Sequence, residues 1–153
     1  MVQAKIKLVL DTSIVISAHL KPQGMERRAL DFALSSHSLF FVTSEILAEY
    51  SSVLARVKFH FDPNDIAISL GLIRTKATFV SPFRRIHVSP DENDNRFLEC
   101  ADQCDADYLV AENIRRFPPT LNKTLIVKTQ EFFDRNPDLQ DDSWREVCGT
   151  QAV

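Results

Sequence analysis

Apolar segments of strand length alternate with amphipathic segments of helical length along most of this chain. The apolar runs lie at Ile6–Leu10, Leu39–Thr43, Asp107–Ala111 and Leu125–Lys128, and such runs are typical of parallel strands that are buried on both faces. Parallel strands need long crossover connections, which are usually helices that cover the sheet. The sequence therefore predicts an α/β protein with a three-layer α/β/α fold and a central parallel sheet of four to five strands.

The segments between these runs carry helical periodicity and helix start signals. Ser44–Lys58 has apolar residues at three- and four-residue spacing, which predicts the most regular helix of the chain. Asp62 and Pro63 are typical of an N-cap and a first helical residue. The sequence at 89–92 predicts a second capped helix, which begins with Ser89 in a capping box and runs to about Cys104. Further helices are predicted over 13–19, 26–34 and 129–136, and short strands over 78–80, 86–88 or both.

The length and composition suit one soluble domain. With 153 residues, 44% of them hydrophobic and 25% charged, and a net charge of −3, the chain has the usual balance of a globular protein. We assign residues 1–136 to a single α/β domain and residues 137–153 to a polar tail or short helix. The first apolar run is short and ends at Asp11, which predicts a strand rather than a secretory signal and favours a cytoplasmic location.

Two residue counts exclude classes of function. The three glycines are far apart, so the chain lacks the glycine-rich loops that hold phosphates in dinucleotide-binding enzymes and P-loop ATPases. The three cysteines, Cys100, Cys104 and Cys148, form no CxxC pair. This spacing predicts free thiols rather than disulfides or a zinc site.

Acidic and amide side chains follow the predicted strands at their carboxyl ends. In open α/β sheets this edge holds the ligand, at the point where the strand order reverses. Asp91, Asp94 and Asn95 are spaced i, i+3, i+4, so they share one face of the capped helix. The whole set is Asp11 after the first strand, Glu45 and Glu49 in the helix after the second, Asp91, Asp94 and Asn95 in the capped helix, and Glu112 and Asn113 after the strand at 107–111.

Helix capping explains some of these acids without a function. The helix dipole favours acids in the first turn, which accounts for Glu45 and Asp91, and Asp11 suits an N-cap. Neither the helix dipole nor capping accounts for Glu49, which repels Glu45 at i, i+4, or for the inward-facing Asp94. Carboxylates that meet at one edge without nearby His or Cys favour Mg²⁺ or Mn²⁺ over zinc. Such an ion activates water and neutralises phosphate charge, so the pattern predicts phosphodiester hydrolysis.

Three segments carry a more specific pattern: VLDTSIVISA at the first strand, VTSEILAEYSSVL in the second helical region, and SPDENDNRFLECADQCDADYLV in the capped helix and next strand. They resemble the PIN domain family, in the branch of toxin components of toxin–antitoxin systems, and the similarity runs from about Lys7 to Asn136. The resemblance implies a metal-dependent endoribonuclease. It assigns the catalytic and metal-binding roles to Asp11, Glu49 and Asp94, with support from Ser13, Thr12, Asp91 and Asn95.

Two positions depart from the family pattern. Many PIN domains carry Asp where Asn95 stands, so here Asp94 supplies the charge from one residue earlier. A fourth acid usually follows the fourth strand, where this chain has Glu112 and Asn113. Asn113 keeps the oxygen without the charge, and Glu112 is a longer replacement. Because fewer charges bind a divalent cation less tightly, an alternative is a catalytically weakened or inactive PIN fold that acts as a binding or regulatory module.

An enzyme of another class shares the first of these signals. Phosphatases of the haloacid dehalogenase type also begin with Asp directly after an apolar strand. They need a second Asp two residues later, where this chain has Ser13. The substitution disfavours a phosphatase.

Basic pairs and aromatic residues are the candidates for contacts with partners. Arg115 and Arg116 follow the predicted site and are the preferred RNA contacts, which in a net acidic chain would be local and salt-sensitive. The resemblance further implies an antitoxin partner and a homodimer. Other basic candidates are Arg27, Arg28, Arg56, Lys58, Arg84 and Arg85, and aromatic candidates for interfaces or for the core are Phe59, Phe61, Phe83 and Trp144.

Overall fold

The structure of the protein is a computed structural model, which describes residues 4–145. Its strands are β1 (Ile6–Leu10), β2 (Ser38–Val42), β3 (Thr78–Phe79), β4 (Tyr108–Val110), β5 (Thr120–Leu121) and β6 (Thr124–Val127). They form one sheet in the order β3-β2-β1-β4-β6-β5. All pairs are parallel except the pair of β5 with β6. Five parallel strands therefore form the predicted sheet, and a short antiparallel strand extends its edge.

Helices cover both faces of this sheet. They are α1 (Thr12–Leu20), α2 (Met25–Ala33), α3 (Ser44–Leu54), α4 (Pro63–Lys76), α5 (Glu92–Gln103) and α6 (Thr129–Arg135). Leu8, Val9 and Leu10 of β1 are all fully buried. Because successive side chains of a strand point to opposite faces, this burial requires helices on both sides. The predicted three-layer α/β/α fold is confirmed.

The strand order reverses at β1. This strand pairs with β2 on one side, where Leu8 lies opposite Phe40, and with β4 on the other, where Leu10 lies opposite Val110. The backbone N–H of Asp11 extends the second pairing by donating to the Val110 carbonyl at 2.9 Å. The first residue after β1 therefore lies at the position where open α/β sheets bind ligands.

The helix α3 ends at Leu54, four residues before the predicted end at Lys58. The apolar spacing continues to Val57, but that side chain is 81% exposed. Without a core to receive it, the chain leaves the α-helix and forms a 3₁₀ turn over Val57–Phe59, which His60 ends with a left-handed backbone at φ 54°.

The start of α5 also differs from the prediction. Asp91 is the N-cap and accepts the backbone N–H of Asn93 at 2.9 Å, so Ser89 lies before the helix. Asn95 holds Ser89 outside the helix, because its amide accepts the Ser89 N–H and donates to the Ser89 carbonyl, both at 2.8 Å. Residues 86–88 form no strand, since the N–H of Ile86 donates to the Glu99 carboxylate instead. Of the two candidate short strands, β3 alone is present.

Residues after α6 pack back on the domain. Pro137–Leu139 form a 3₁₀ turn, and the Trp144 ring lies edge-on to Phe32 at 5.4 Å. Arg28 donates to the backbone carbonyl of Gln140 at 2.9 Å. The domain boundary at residue 136 stays a prediction, and Val147 and Cys148 lie outside the described residues.

Two further expectations concern thiols and membranes. Cys100 and Cys104 are free thiols, as predicted, with Cys100 buried and Cys104 half-buried. Across residues 4–145, helices long and apolar enough to cross a membrane are absent.

Candidate active site

A cleft of about 300 Å³ opens at the carboxyl ends of β1 and β4. Its lining combines residues of α1, α3 and α5, and residues directly next to these helices, with one residue that follows β4. The charged residues that line it are the acids Asp11, Glu49, Asp91 and Asp94 and the arginines Arg56 and Arg116. The three acids assigned to catalysis therefore share one cleft, although they lie 38 and 45 residues apart along the chain.

Asp11 is held in place by the start of α1. Its carboxylate caps the helix by accepting the Ser13 N–H at 3.1 Å, and it accepts the Ser13 hydroxyl at 2.6 Å. The same hydroxyl oxygen accepts the backbone N–H of Glu112 at 3.2 Å, which ties the end of β4 to this turn. The capping role foreseen for Asp11 and its place in the cleft therefore coexist. Ser13 supports the carboxylate directly, and Thr12 lines the cleft beside it.

Tyr50 places α3 against the end of β1. Its buried hydroxyl donates to the Leu10 carbonyl at 2.5 Å. Burial raises the pKa of Tyr50, and the nearby Cys100 and Asp11 raise it further, so the phenol stays a neutral donor. Glu49 precedes Tyr50 and is half-buried, and its carboxylate has no hydrogen bond or ion pair within the described part of the chain. Its carboxylate is available to a ligand in the cleft.

Asp94 is the most buried acid of the cleft, with 1% of its surface exposed. Arg116 lies across it: Nε donates to Asp94 Oδ2 at 2.9 Å, and Nη2 donates both to Asp94 Oδ1 and to Asp91 Oδ2, the latter at 3.2 Å. Burial raises the pKa of Asp94, the guanidinium opposes this shift, and Asp91 and Asp11 reinforce it. Asp94 is therefore a desolvated acid whose charge is balanced by one arginine.

The residues of the cleft fit a hard divalent cation by their donor chemistry. Mg²⁺ needs one or two protein carboxylates and completes its shell with water and phosphate oxygens. Thr12 Oγ1 is buried in the cleft and has no hydrogen-bond partner among the described residues, and the Arg116 guanidinium already places a positive charge on Asp94. Within residues 4–145, however, no group of three His, Cys, Asp or Glu side chains lies close enough to share an ion. Any ion would thus rely on few carboxylates and would meet Arg116 at Asp94.

Three further residues that the sequence proposed for the site do not line the cleft: Asn95, Glu112 and Asn113. Asn95 is fully buried and uses its amide to hold Ser89, so its neighbour Asp94 is the residue that reaches the cleft. Glu112 accepts the Ser17 hydroxyl at 2.8 Å, and Asn113 caps the turn at 114–116 by accepting the N–H of Arg115. Neither Glu112 nor Asn113 lines the cleft.

Sequence reasoning missed two features of this region. It placed Arg116 among RNA contacts and did not foresee its pairing with Asp94, 22 residues away. It also overlooked Glu99, a second buried acid of α5 that is paired with Arg85 and Arg96. The sequence spacing carries no signal for Glu99, because a residue five positions after Asp94 lies about 140° around the helix and does not share its face.

Comparisons with known proteins agree with this architecture. The sequence model of the PIN domain family matches residues 7–115. The uncharacterized protein MJ1680 from Methanocaldococcus jannaschii is 28% identical over 104 residues, which are 66% of this chain and 67% of that protein. The fold is also similar to that of a chain in the crystal structure of VapBC2 from Rickettsia felis bound to a DNA fragment from their promoter. The superposition has a TM-score of 0.52 and covers 80% of this chain and 98% of that chain, with 17% sequence identity. At this identity the superposition shows the common fold alone.

Proposed function

The chain belongs to the PIN domain family, and on this premise we propose that it is a metal-dependent endoribonuclease that cleaves RNA as the toxin of a toxin–antitoxin pair. The observation that carries the proposal is the convergence of Asp11, Glu49 and Asp94 on one cleft at the switch point of the sheet. Family members are generally nucleases. Beyond membership of the family, we propose a bound metal, an RNA substrate, an antitoxin partner, a homodimer and a cytoplasmic location.

The cation is assigned to the cleft of Asp11, Glu49 and Asp94. Because the described carboxylates are too far apart for all three to hold one ion directly, water molecules would link the ion to the more distant ones. Mg²⁺ or Mn²⁺ bound there would lower the pKa of a water molecule and offset the charge of the attacked phosphate. The residues of the chain supply the positioning: Ser13 fixes the Asp11 carboxylate, and Tyr50 fixes the helix that carries Glu49. The Glu49 carboxylate, which has no side-chain partner in the described chain, would accept a hydrogen bond from the attacking water.

RNA phosphates are assigned to the arginines at the cleft. Arg116 and Arg56 line it, and Arg115 is exposed beside it. Guanidinium groups bind phosphate oxygens through paired N–H donors. Once Arg116 leaves Asp94, its Nε and Nη2 donors are free for a phosphate oxygen. The partner protein is inferred from the superposition on a chain of a VapBC2 complex, and the DNA in that crystal belongs to that complex.

A paired substitution tests the enzymatic proposal. Asp11→Asn removes the charge but keeps a residue well suited to cap α1, so the fold should survive. We expect cleavage of unstructured RNA to depend on Mg²⁺ or Mn²⁺, to stop with a chelator, and to fall on the order of a hundredfold or more in Asp11→Asn. Glu112→Gln removes an acid outside the cleft and should keep wild-type activity. Equal rates in both variants would contradict the site.

A binding module without activity is the second candidate. It is favoured by the neutralisation of Asp94 by Arg116 and by the absence, across the described residues, of three acids close enough to share an ion. Its signature would be a folded protein that binds RNA or an antitoxin with the affinity of a specific complex but leaves a broad panel of RNAs uncut at millimolar Mn²⁺. Metal-dependent cleavage that Asp11→Asn removes would exclude this candidate.

A further inference from the structure

The connection between α3 and α4 alternates basic and apolar residues in the sequence RVKFHF, residues 56–61, which we call the aromatic-basic turn. Its 3₁₀ helix and the left-handed backbone of His60 turn the chain sharply after α3. Val57 points outward with 81% of its surface exposed, although it is apolar. The turn therefore presents apolar surface that the described part of the chain does not cover.

Aromatic rings form the base of this surface. The rings of Phe59 and Phe61 stack at 5.3 Å between centroids with an angle of 10°, and Phe61 contacts the His19 ring at 5.6 Å. Lys58 Nζ lies 5.2 Å from the Phe59 centroid. Such a cation–π contact at an exposed site is weak, so the ammonium can exchange the ring for an anion at little cost.

A groove of about 390 Å³ separates the aromatic-basic turn from the start of α4. Its walls include Leu54, Val57, His60, Phe61 and Ile66, and Arg56 stands at its border. Arg56 also lines the acidic cleft, so the groove and the cleft are adjacent. The volume lies in the range of small-ligand sites.

We propose that this groove binds one unpaired base of the RNA substrate beside the cleaved phosphate, while Arg56 binds a flanking phosphate. The inference rests on the proposed function and adds a binding site for one base next to the acidic cleft. An apolar groove with the Phe61 ring in its wall and Arg56 at its border matches a nucleotide, whose flat base packs on apolar surface while its phosphate needs positive charge. The basic residues matter because the whole chain is net acidic at −3, so attraction of RNA must be local.

The groove imposes a condition on the substrate. A base in a duplex is stacked and paired, and its removal from the stack costs a few kcal/mol. A base in a loop or an open strand enters the groove without that cost. The protein should therefore bind and cut unpaired segments in preference to duplex RNA of the same sequence.

The test measures RNA affinity directly. All proteins carry Asp11→Asn, so that bound RNA is not cut, and the probe is an unstructured fluorescent RNA oligonucleotide in Mg²⁺, followed by anisotropy. Val57→Glu places a carboxylate on the groove wall and should weaken binding about tenfold. Ile68→Glu is the matched control, because Ile68 is also an exposed β-branched residue, at 63%, and does not line the groove. Its affinity should stay within about twofold of the parent.

Two further measurements separate stacking from charge. Arg56→Gln should reduce the slope of log affinity against log salt by about one, as expected for one lost phosphate contact. The same RNA annealed to its complement should bind the parent about tenfold more weakly, and Val57→Glu should lose this preference for the single strand. If Val57→Glu does not fold, Val57→Ser, which adds no charge, takes its place.

The possible failures are distinguishable. Equal affinities in Val57→Glu and Ile68→Glu, or equal affinities for single strand and duplex, overturn the groove assignment even if the wild-type protein cuts RNA with metal. A Val57→Glu variant that changes from dimer to monomer by light scattering and keeps its RNA affinity makes the groove a protein interface, and also overturns it. A wild-type protein that neither binds nor cuts RNA overturns the proposed function together with this inference.

Discussion

Two buried acids of α5, Asp94 and Glu99, differ in what surrounds them. Both side chains are 2% exposed and both pair with arginine. Glu99 receives N–H groups from Arg85 at 3.2 Å, the Ile86 backbone at 2.9 Å and Arg96 at 2.8 Å. Asp94 faces an open cleft, and among the described residues its carboxylate accepts from the Arg116 and Ser89 side chains and from no backbone N–H.

The difference separates a structural acid from an acid that can take a ligand. The N–H groups around Glu99 come from its own helix and from the segment that leads into it, so the carboxylate fastens residues 85–86 to α5. Loss of the Glu99 carboxylate would leave the buried Ile86 N–H without an acceptor among the described residues, which is costly, although Arg85 and Arg96 would keep their exposed partners Glu45 and Glu92. The partner of Asp94 can instead turn to solvent or to a phosphate. Burial and an arginine partner alone therefore do not identify a functional acid.

The largest expected effect is on stability, at Glu99. Glu99→Gln keeps the shape but replaces the carboxylate, which accepts three N–H donors, by a neutral amide. We expect the free energy of unfolding to fall by about 2–4 kcal/mol. Glu92→Gln is the control, since Glu92 is an exposed partner of the same Arg96 and its ion pair is solvated. Urea denaturation of both variants measures the difference, and an unchanged midpoint for Glu99→Gln would remove the structural role.

A smaller effect is expected at Arg116, on metal affinity. Because the guanidinium and a divalent cation need the same Asp94 oxygens, Arg116→Gln should tighten Mn²⁺ binding about tenfold, or about 1.4 kcal/mol. The adjacent Arg115→Gln removes an arginine that makes no ion pair among the described residues and should leave the affinity unchanged.

Calorimetric titration of the full chain with Mn²⁺ measures both variants. Equal dissociation constants for the wild type and Arg116→Gln would mean that the Arg116 pair resembles the Glu99 cluster and does not compete with metal. Absence of Mn²⁺ binding in both proteins would instead contradict the metal site itself.

The sequence predicted what depends on local pattern. The buried strands follow from apolar runs, and the position of Asp11 follows from the end of the first run, because a parallel sheet places that residue at its ligand edge. The spacing of Asp91 and Asp94 placed both on one helix face, and both line the cleft. Each of these inferences uses only neighbours within a few residues.

The sequence did not predict what depends on partners far along the chain. Arg116 reaches Asp94 because the chain turns at 114–116 after β4, and neither residue indicates this by itself. Helix α3 ends early because no core lies under Val57, and the spacing of apolar residues could not reveal that. The short β5 depends on a two-residue turn in which Asn122 takes a left-handed backbone at φ 52°, a conformation that Asn tolerates.

The smallest expected effect is the pH dependence of Asp94. Its pKa is raised, first by burial and then by Asp91 and Asp11, against the opposing effect of Arg116. An acid with a raised pKa in the folded state binds its proton more tightly there than in the unfolded chain. Its ionised form therefore lowers stability at neutral pH, and this loss is recovered as pH falls through the folded pKa.

Asp94→Asn, which carries no charge, should melt at the same temperature as wild type or higher at pH 7, and the difference should shrink toward pH 4. Melting curves of the metal-free proteins across this range measure it. If wild type instead loses stability relative to Asp94→Asn as pH falls, the ion pair with Arg116 outweighs burial, and Asp94 resembles Glu99 more closely than the open cleft suggests.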